Sequence, residues 1–154
     1  STGLRVSELI NLKIGDIDLN KRTLVVFGKG RKERNAYFTA KASKAIKEWL
    51  NYNPDSSEFL FPSHGVSGHI TRDSVNKILS EISIELGLNN NQLTPHKLRH
   101  AFATHMLNKG ADIRVIQQLL GHSNISTTEI YTHILDSESV ETVLKNHPLG
   151  KSLS

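Results

Sequence analysis

The strongest constraint on the fold is a series of helix start signals, each followed by apolar residues at helical spacing. A Ser, Thr or Asp side chain at such a position accepts a hydrogen bond from a free backbone amide of the first turn. Apolar residues three and four positions apart then give each helix one buried face. The start signals are Thr39, Thr71, Thr94, Asp112 and Ser126. The first four helices are predicted to end near Tyr52, Gly87, Gly110 and Gly121. With short helices also predicted at residues 5–12 and 139–146, the chain is mainly helical.

One antiparallel β-hairpin is predicted near the N-terminus. Residues 23–27 and 35–38 are rich in the β-branched and aromatic side chains that are typical of strands. The connection between them contains glycine and carries four cations in six residues. The predicted fold class is therefore mainly α with a small antiparallel β-hairpin or sheet near the N-terminus.

Length and composition indicate a single domain. A chain of 154 residues that is 37% hydrophobic is long enough to bury a core. No stretch approaches the roughly 20 apolar residues that span a bilayer, so we expect a soluble intracellular protein. The absence of cysteine excludes disulfides and thiolate metal sites. Because a helix is predicted almost at the first residue, we interpret the chain as a fragment of a longer protein.

The positive charge is concentrated in the first half of the chain. The net charge is +4, with 13 Lys and Arg against 8 Asp and Glu in residues 1–77, and 6 against 7 in residues 78–154. The densest cationic segment is the hairpin connection, whose basic residues are Lys29, Arg31, Lys32 and Arg34. These side chains are candidate contacts to DNA phosphates. On charge alone, a solvated hairpin tip is the simpler interpretation.

The helix that begins at Thr94 presents two different faces. His96, Arg99, His100 and Ala103 share one face. A histidine and an arginine three residues apart near the positive end of a helix dipole attract an anion. An ordinary exposed face is the alternative. The other face, which is predicted to lie in the core, consists of Leu98, Ala101, Phe102 and His105.

The histidines also raise the question of a zinc site. Five of the eight histidines fall between positions 96 and 133, and His96 and His100 have the spacing of a metal-binding pair. However, no glutamate follows His96 to act as a general base, and cysteine is absent. No Asp/Glu cluster suited to magnesium lies near these histidines. We therefore predict a protein without a metal or a cofactor.

Four segments together resemble the sequence boxes of one enzyme family. In chain order, the first to fourth boxes are residues 2–9 (TGLRVSEL), 28–34 (GKGRKER), 94–100 (TPHKLRH) and 119–131 (LLGHSNISTTEIY). Their order and separation resemble those of the tyrosine recombinases of the phage integrase family, and the Xer type in particular. The resemblance extends over nearly the whole chain and implies the catalytic-domain fold of the DNA breaking-rejoining enzymes. The implied catalytic set is Arg5, Lys29, His96, Arg99, His122 and Tyr131.

The resemblance also implies a mechanism that needs neither a metal nor ATP. Tyr131 would attack a DNA phosphate, which leaves a 3′-phosphotyrosine and a free 5′-hydroxyl. Arg5 and Arg99 would hold the non-bridging oxygens of the transition state. Lys29 is the candidate acid for the departing 5′-oxygen. His96 could accept the proton of Tyr131 or hydrogen-bond the phosphate, and His122 could hydrogen-bond the phosphate. The division of proton transfer among these residues therefore stays open.

Partners and location follow from the same resemblance. The expected partner is double-stranded DNA, on which the full-length protein would assemble as a tetramer. Residues 137–154 would be a C-terminal tail that docks on a neighbouring protomer, with an ordinary frayed end as the alternative. The family's N-terminal core-binding domain is absent from the chain, which leaves target recognition open. We expect a prokaryotic, cytoplasmic, DNA-associated protein without a membrane partner.

Three other functions are compatible with parts of this pattern. A type IB topoisomerase uses nearly the same residues, but it yields relaxed circles instead of recombinants and Holliday junctions. A non-enzymatic DNA-binding module would bind without cutting, and the complete catalytic set argues against it. A metal-dependent hydrolase would be inhibited by a chelator. These products and sensitivities distinguish the alternatives.

Overall fold

The architecture is one short helix and a small sheet, followed by four longer helices in the described part of the chain. The computed structural model describes residues 1–28, 33–52, 57–89 and 92–121. The helices in these ranges are α1 (Val6–Ile10), α2 (Ala40–Leu50), α3 (Arg72–Glu85), α4 (Pro95–Asn108) and α5 (Ile113–Leu120). The strands are β1 (Ile17–Asp18), β2 (Thr23–Phe27) and β3 (Glu33–Tyr37), and a 3-10 turn (Ile14–Asp16) precedes β1. The predicted fold class is thereby confirmed. None of the helices described here has the length and apolarity needed to cross a membrane.

Four of the predicted helix caps are formed. In each, the side-chain oxygen of the cap accepts a hydrogen bond from a backbone amide of the first turn, which the helix itself leaves unpaired. The capping residues of α2, α3, α4 and α5 are Thr39, Thr71, Thr94 and Asp112. Gly121 ends α5 in the left-handed conformation, with φ 67°, as the sequence predicts. The fifth signal, Ser126, and the helix predicted at residues 139–146 lie outside the described residues.

The three strands form one antiparallel sheet in the order β1–β2–β3. β2 and β3 form the predicted hairpin, with Val25 opposite Asn35 and Phe27 opposite Glu33. β1 is a two-residue addition that was not predicted from the sequence. Because successive side chains of a strand point to opposite faces, Tyr37 at the end of β3 is buried on one face of the hairpin, and Leu24, Val26 and Ala36 are buried together on the opposite face. The core packed on that face consists of Leu12, Leu24, Val26, Ala36, Phe38 and Leu60.

A second core lies where α4 and α5 pack against the end of β3. Met106 is at its centre and is fully buried. The other members are Tyr37, Phe102, Ala111, Val115, Ile116, Leu119 and Leu120. This core covers the C-terminal end of α5, where the chain enters the fourth box.

The buried side of α4 differs from the prediction. Of the four residues assigned to the core, only Phe102 is buried, and the exposed ones are Leu98, Ala101 and His105. The buried side instead follows Phe102 and Met106, with Arg99 half-buried one turn before them. The difference arises because α5 covers this side of the helix. Arg99 is thus turned towards the protein interior.

Replacing Gly3 by alanine is expected to destabilise the fold strongly. Gly3 has a φ of 63°, and a Cβ atom there would lie 2.6 Å from Cδ1 of Phe102 and 2.9 Å from Cδ2 of Leu120. A left-handed residue with a side chain costs about 1–2 kcal/mol, and an extra carbon in a packed core adds about 1–3 kcal/mol. Gly3→Ala should therefore lower the free energy of unfolding by about 2–5 kcal/mol, measured by urea denaturation.

Two other glycines separate the backbone and packing contributions to this loss. Gly87 also has a positive φ, 67°, but a Cβ atom there would meet no atom of the described residues within 4 Å. Gly87→Ala should lose only the backbone part, about 1–2 kcal/mol. Gly15 has the same open surroundings without the positive φ, so Gly15→Ala should be close to neutral. Equal losses at Gly3 and Gly87 would show that the packing of Gly3 contributes nothing.

Candidate active site

Arg5 lies at the N-terminal cap of α1. Its Nη1 donates to Oε1 of Glu8 at 3.1 Å, and its Nη2 donates to the carbonyl oxygen of Gly121 at 3.2 Å. Gly121 is 116 positions away in the sequence, so this contact joins the first box to the fourth. The Arg5 side chain remains 40% exposed. Part of its guanidinium is therefore accessible to an anion from solvent.

Glu8 holds two arginines in one place. Its side chain is 3% exposed, and its Oε2 accepts hydrogen bonds from the backbone amide of Arg5 at 2.8 Å and from Nη2 of Arg34 at 2.9 Å. With the Arg5 guanidinium on Oε1, both carboxylate oxygens are paired, as a buried carboxylate requires. Glu8 was not among the residues predicted from the sequence. The sequence signal that could have identified Glu8 was its position as an acidic residue among the apolar residues of a five-residue helix.

Arg99 contacts the backbone of both the first and the fourth box. Its Nη1 donates to the carbonyl oxygen of Gly3 and its Nη2 to that of Leu120, each at 2.6 Å. Burial lowers the pKa of Arg99 to about 10, and the positive charge of Arg5 adds to this effect. The guanidinium therefore still carries its charge at neutral pH.

Arg5 and Arg99 bind consecutive carbonyl oxygens, those of Gly121 and Leu120. These carbonyls lie at the C-terminal end of α5, where the helix dipole is negative and favours cations. The two guanidiniums are thus fixed at the point where the chain leaves α5. His122, the next residue of the fourth box, directly follows Gly121 in the sequence.

Arg34 completes the cluster from the second residue of β3. Its side chain is only 14% exposed, and Glu8 is its ion-pair partner. Burial lowers the pKa of Arg34; Glu8 opposes this shift, and the charge of Arg5 adds to it. Nε and Nη1 of Arg34 are buried without a hydrogen-bond partner among the residues that the structure describes. A direct contact from this residue to DNA stays a prediction.

The cluster has an excess of positive charge. Within the described part of the chain, three guanidiniums surround a single carboxylate, so the formal charge of the cluster is +2. Positive groups with fixed donors in a partly desolvated site attract an anion with a delocalised charge, such as a phosphodiester. Together with the carbonyl contacts, this charge makes the cluster a preorganised anion site.

His96 lies in the first turn of α4 and is exposed. It precedes Arg99 by one turn, so the two side chains lie towards the same end of the helix. Among the residues that the structure describes, no three His, Asp or Glu side chains are grouped closely enough to hold a metal ion. Because His96 is exposed, its side chain is accessible from solvent.

Several predicted site residues lie outside the described residues. These are Lys29, Arg31, Lys32, His122 and Tyr131, together with the tail at residues 137–154. The described neighbours Gly28 and Gly121 show where the chain enters two of these segments. Of the predicted catalytic set, the structure brings Arg5 and Arg99 together and puts His96 on the helix that carries Arg99.

Solved recombinases share this fold. The crystal structure of XerA recombinase matches with a TM-score of 0.72 and 37% sequence identity, over 96% of this chain and 54% of that one. The structure of XerH site-specific recombinase bound to difH substrate matches with a TM-score of 0.68 and 29% identity, over 90% of this chain and 39% of that one. The fold is therefore that of a tyrosine recombinase catalytic domain.

The chain belongs to the phage integrase family, whose sequence model matches residues 1–138. One relative is the tyrosine recombinase XerD of Rhizobium meliloti (strain 1021), which is 44% identical over 154 residues. The match covers 98% of this chain and 50% of the relative. The chain thus spans about half the length of that protein. The family resemblance drawn from the four boxes is confirmed.

Proposed function

We propose that the protein is a site-specific DNA recombinase, which cuts and rejoins DNA strands and so supports DNA integration and recombination. The observation that carries this proposal is the paired attachment of Arg5 and Arg99 to the consecutive carbonyls of Gly121 and Leu120. Family membership supports the same conclusion. Both guanidiniums are held where the chain enters the segment that carries the proposed nucleophile.

The reaction conserves the energy of the DNA backbone. The Tyr131 hydroxyl attacks phosphorus, the bond from phosphorus to the 5′-oxygen breaks, and a 3′-phosphotyrosine forms. The proton of the tyrosine passes to a base, and the 5′-oxygen receives a proton as it departs. The 5′-hydroxyl can later attack the phosphotyrosine of another duplex, so rejoining needs neither ATP nor a metal.

Arg5 and Arg99 stabilise the transition state of this step. Negative charge builds on the two non-bridging oxygens, and guanidiniums provide paired donors in a fixed plane for them. Because Gly3, Leu120 and Gly121 already hold these groups, little reorganisation is needed during the reaction. Loss of one such donor typically slows a reaction by about 10²- to 10³-fold.

The other proposed roles rest on the resemblance to the family. Lys29 protonates the departing oxygen, His96 accepts the tyrosine proton or binds the phosphate, and His122 binds the phosphate. Lys29, Arg31 and Lys32 contact DNA phosphates from the hairpin. The full-length protein assembles as a tetramer on double-stranded DNA, with residues 137–154 docked on a neighbouring protomer, in the cytoplasm of a prokaryote.

Covalent capture of DNA tests this function even when the target sequence is unknown. The full-length protein is incubated with sheared genomic DNA from its source, denatured, and recovered with any DNA still attached. We expect adducts at one or a few sequences, with protein on the 3′ end and a free 5′-hydroxyl, in equal yield with and without a chelator. Absence of an adduct, or its loss on chelation, would overturn the proposal.

The type IB topoisomerase alternative is tested on the captured sequence. A plasmid carrying two copies of the site should yield recombinants and Holliday junctions with the full-length protein. Relaxed circles without recombinants would favour the topoisomerase instead.

A further inference from the structure

We propose that Arg34 is a positioning residue for DNA cleavage: through Glu8 it fixes the guanidinium of Arg5, and it ties strand β3 to the active site. The inference rests on the proposed function and assigns Arg34 a role other than phosphate contact. Four observations carry it: the shared carboxylate, the exposure of Arg5, the Arg34 donors that lack a partner among the described residues, and the contact with Gly121.

The shared carboxylate makes the orientation of Arg5 depend on Arg34. Nη2 of Arg34 donates to Oε2 of Glu8 at 2.9 Å, and Nη1 of Arg5 donates to Oε1 at 3.1 Å. The Arg34 bond therefore fixes the plane of the carboxylate, and that plane determines where Oε1 meets Arg5. Without Arg34, the backbone amide of Arg5 would be the one partner left to Oε2 among the described residues.

Packing alone does not hold Arg5 in place. Its side chain is 40% exposed, whereas those of Glu8 and Arg34 are 3% and 14% exposed. Its second contact, to the Gly121 carbonyl, is 3.2 Å long. A long, half-exposed side chain keeps much of its rotamer freedom. Glu8 and Arg34 therefore form the rigid part of this interaction, and Arg5 is the part that they orient.

The burial of Arg34 is costly and argues against a role in stability or in DNA contact. Two of its donor atoms, Nε and Nη1, are buried with no hydrogen-bond partner in the part of the chain that the structure describes. An unpaired donor on a buried charged group costs free energy. A residue that served only to contact phosphates would be exposed. Buried donors left without a partner among the described residues are typical of functional sites.

Arg34 also contacts the backbone that leads into the fourth box. A Cβ atom on Gly121 would lie 2.5 Å from Nε and 3.1 Å from Cδ of Arg34, so the guanidinium occupies the space next to this glycine. Strand β3 carries Arg34 at the end that follows the hairpin connection. Arg34 belongs to the second box and contacts Glu8 of the first box and Gly121 of the fourth. These contacts suit a residue that aligns the hairpin with Arg5 and with the segment that carries the proposed nucleophile.

The test separates positioning from phosphate contact in the full-length protein. The substrate is a nicked suicide duplex with the sequence found by covalent capture, cleaved in a single turnover at saturating protein. For Arg34→Gln we expect the cleavage rate to fall by up to about 100-fold, because small misplacements of catalytic groups have effects of this size. The Kd for the duplex should change by less than about twofold, since no phosphate contact is lost.

The matched control is Lys21→Gln. Lys21 precedes β2 in the same sheet, is 79% exposed and pairs only with Asp18 in the described structure, so its loss removes one cation without touching the cluster. Its rate and Kd should both match the wild type. If Arg34 instead contacts phosphate, Arg34→Gln should raise the Kd and reduce the salt dependence of binding by about one unit, with a normal rate at saturation. That result would overturn the proposal.

A double-mutant cycle tests whether Arg34 acts through Glu8. In a Glu8→Gln background, adding Arg34→Gln should slow cleavage by less than about threefold, because the shared carboxylate is already lost. Multiplicative effects of the two substitutions would show that Arg34 acts independently of Glu8, and would contradict the proposal.

Arg34→Lys covers the case in which the glutamine variant does not fold. It keeps the charge but has no planar group to lie against Gly121, so we expect an intermediate rate and an unchanged Kd. Failure of both variants to fold, judged by circular dichroism, would make Arg34 a structural residue and end the proposal. A wild-type protein that forms no adduct would overturn the proposed function itself, whereas a normal rate for Arg34→Gln would overturn only this inference.

Discussion

The Tyr131→Phe variant of the full-length protein is expected to bind its DNA site normally and to form no covalent adduct. The substitution removes only the hydroxyl that is proposed to attack phosphorus, and without it the phosphotyrosine cannot form at this position. The guanidiniums of Arg5 and Arg99 are unaffected, so affinity for the duplex should be retained. A suicide substrate analysed on a denaturing gel measures the adduct, and a mobility shift measures binding.

The other two tyrosines provide the control and the alternative. Tyr52 is 83% exposed just after α2, so Tyr52→Phe should cleave normally. Tyr37 is only 6% exposed within the second core, which makes it a weaker candidate than the exposed Tyr52. An adduct that persists in Tyr131→Phe would show that the nucleophile is misassigned, and Tyr52 would then be the first candidate to replace it.

Local signals explain why much of the fold could be predicted from the sequence. The caps at Thr39, Thr71, Thr94 and Asp112 depend on hydrogen bonds between residues at most three positions apart. The β2–β3 hairpin likewise pairs neighbouring segments. Such features do not depend on the tertiary structure. β1 was missed because two residues are too few for an alternating pattern.

The surroundings of the site could not be predicted because they depend on distant contacts. Arg99 binds the carbonyl of Gly3, 96 positions away, and Arg5 binds that of Gly121, 116 positions away. The buried side of α4 could not be predicted for the same reason, because it depends on how α5 packs against that helix. The basic hairpin pattern predicted Arg34 as an exposed phosphate contact, and only the tertiary structure reveals its pairing with Glu8. The sequence boxes include the residues that hold the arginines, but only the tertiary structure shows these contacts.

The glycines of the first and fourth boxes have a physical role at this site. Gly3 leaves room for Phe102 and Leu120, and its carbonyl accepts from Arg99. Gly121 leaves room for Arg34, and its carbonyl accepts from Arg5. Both have positive φ values. Each glycine therefore combines a close approach of side chains with a carbonyl that orients one of the two arginines proposed to act in catalysis.

Lys29→Ala is expected to slow cleavage of ordinary DNA strongly and to regain activity on a substrate with sulfur at the 5′-bridging position. Loss of a general acid typically slows a reaction by about 10²- to 10⁴-fold. The proposed acid matters only while the departing 5′-oxygen is strongly basic, and sulfur leaves without protonation. Single-turnover cleavage of both substrates by the full-length variant, at saturating protein, measures the recovery.

Arg5→Ala is the control that gives this result its meaning. Arg5 is held by Glu8 and Gly121. In the proposed mechanism it stabilises the non-bridging oxygens, and its loss removes charge stabilisation that sulfur at the bridging position does not replace. We therefore expect Arg5→Ala to stay slow, by about 10²- to 10³-fold, on both substrates.

If Lys29 were only one more hairpin cation holding DNA, higher protein concentration would restore cleavage and sulfur would give no selective recovery. A Lys29→Ala variant that cleaves ordinary DNA normally at saturation, or remains equally impaired on the sulfur substrate, would refute the general-acid assignment. His96, exposed in the first turn of the helix that carries Arg99, would then be the next candidate for the proton donor.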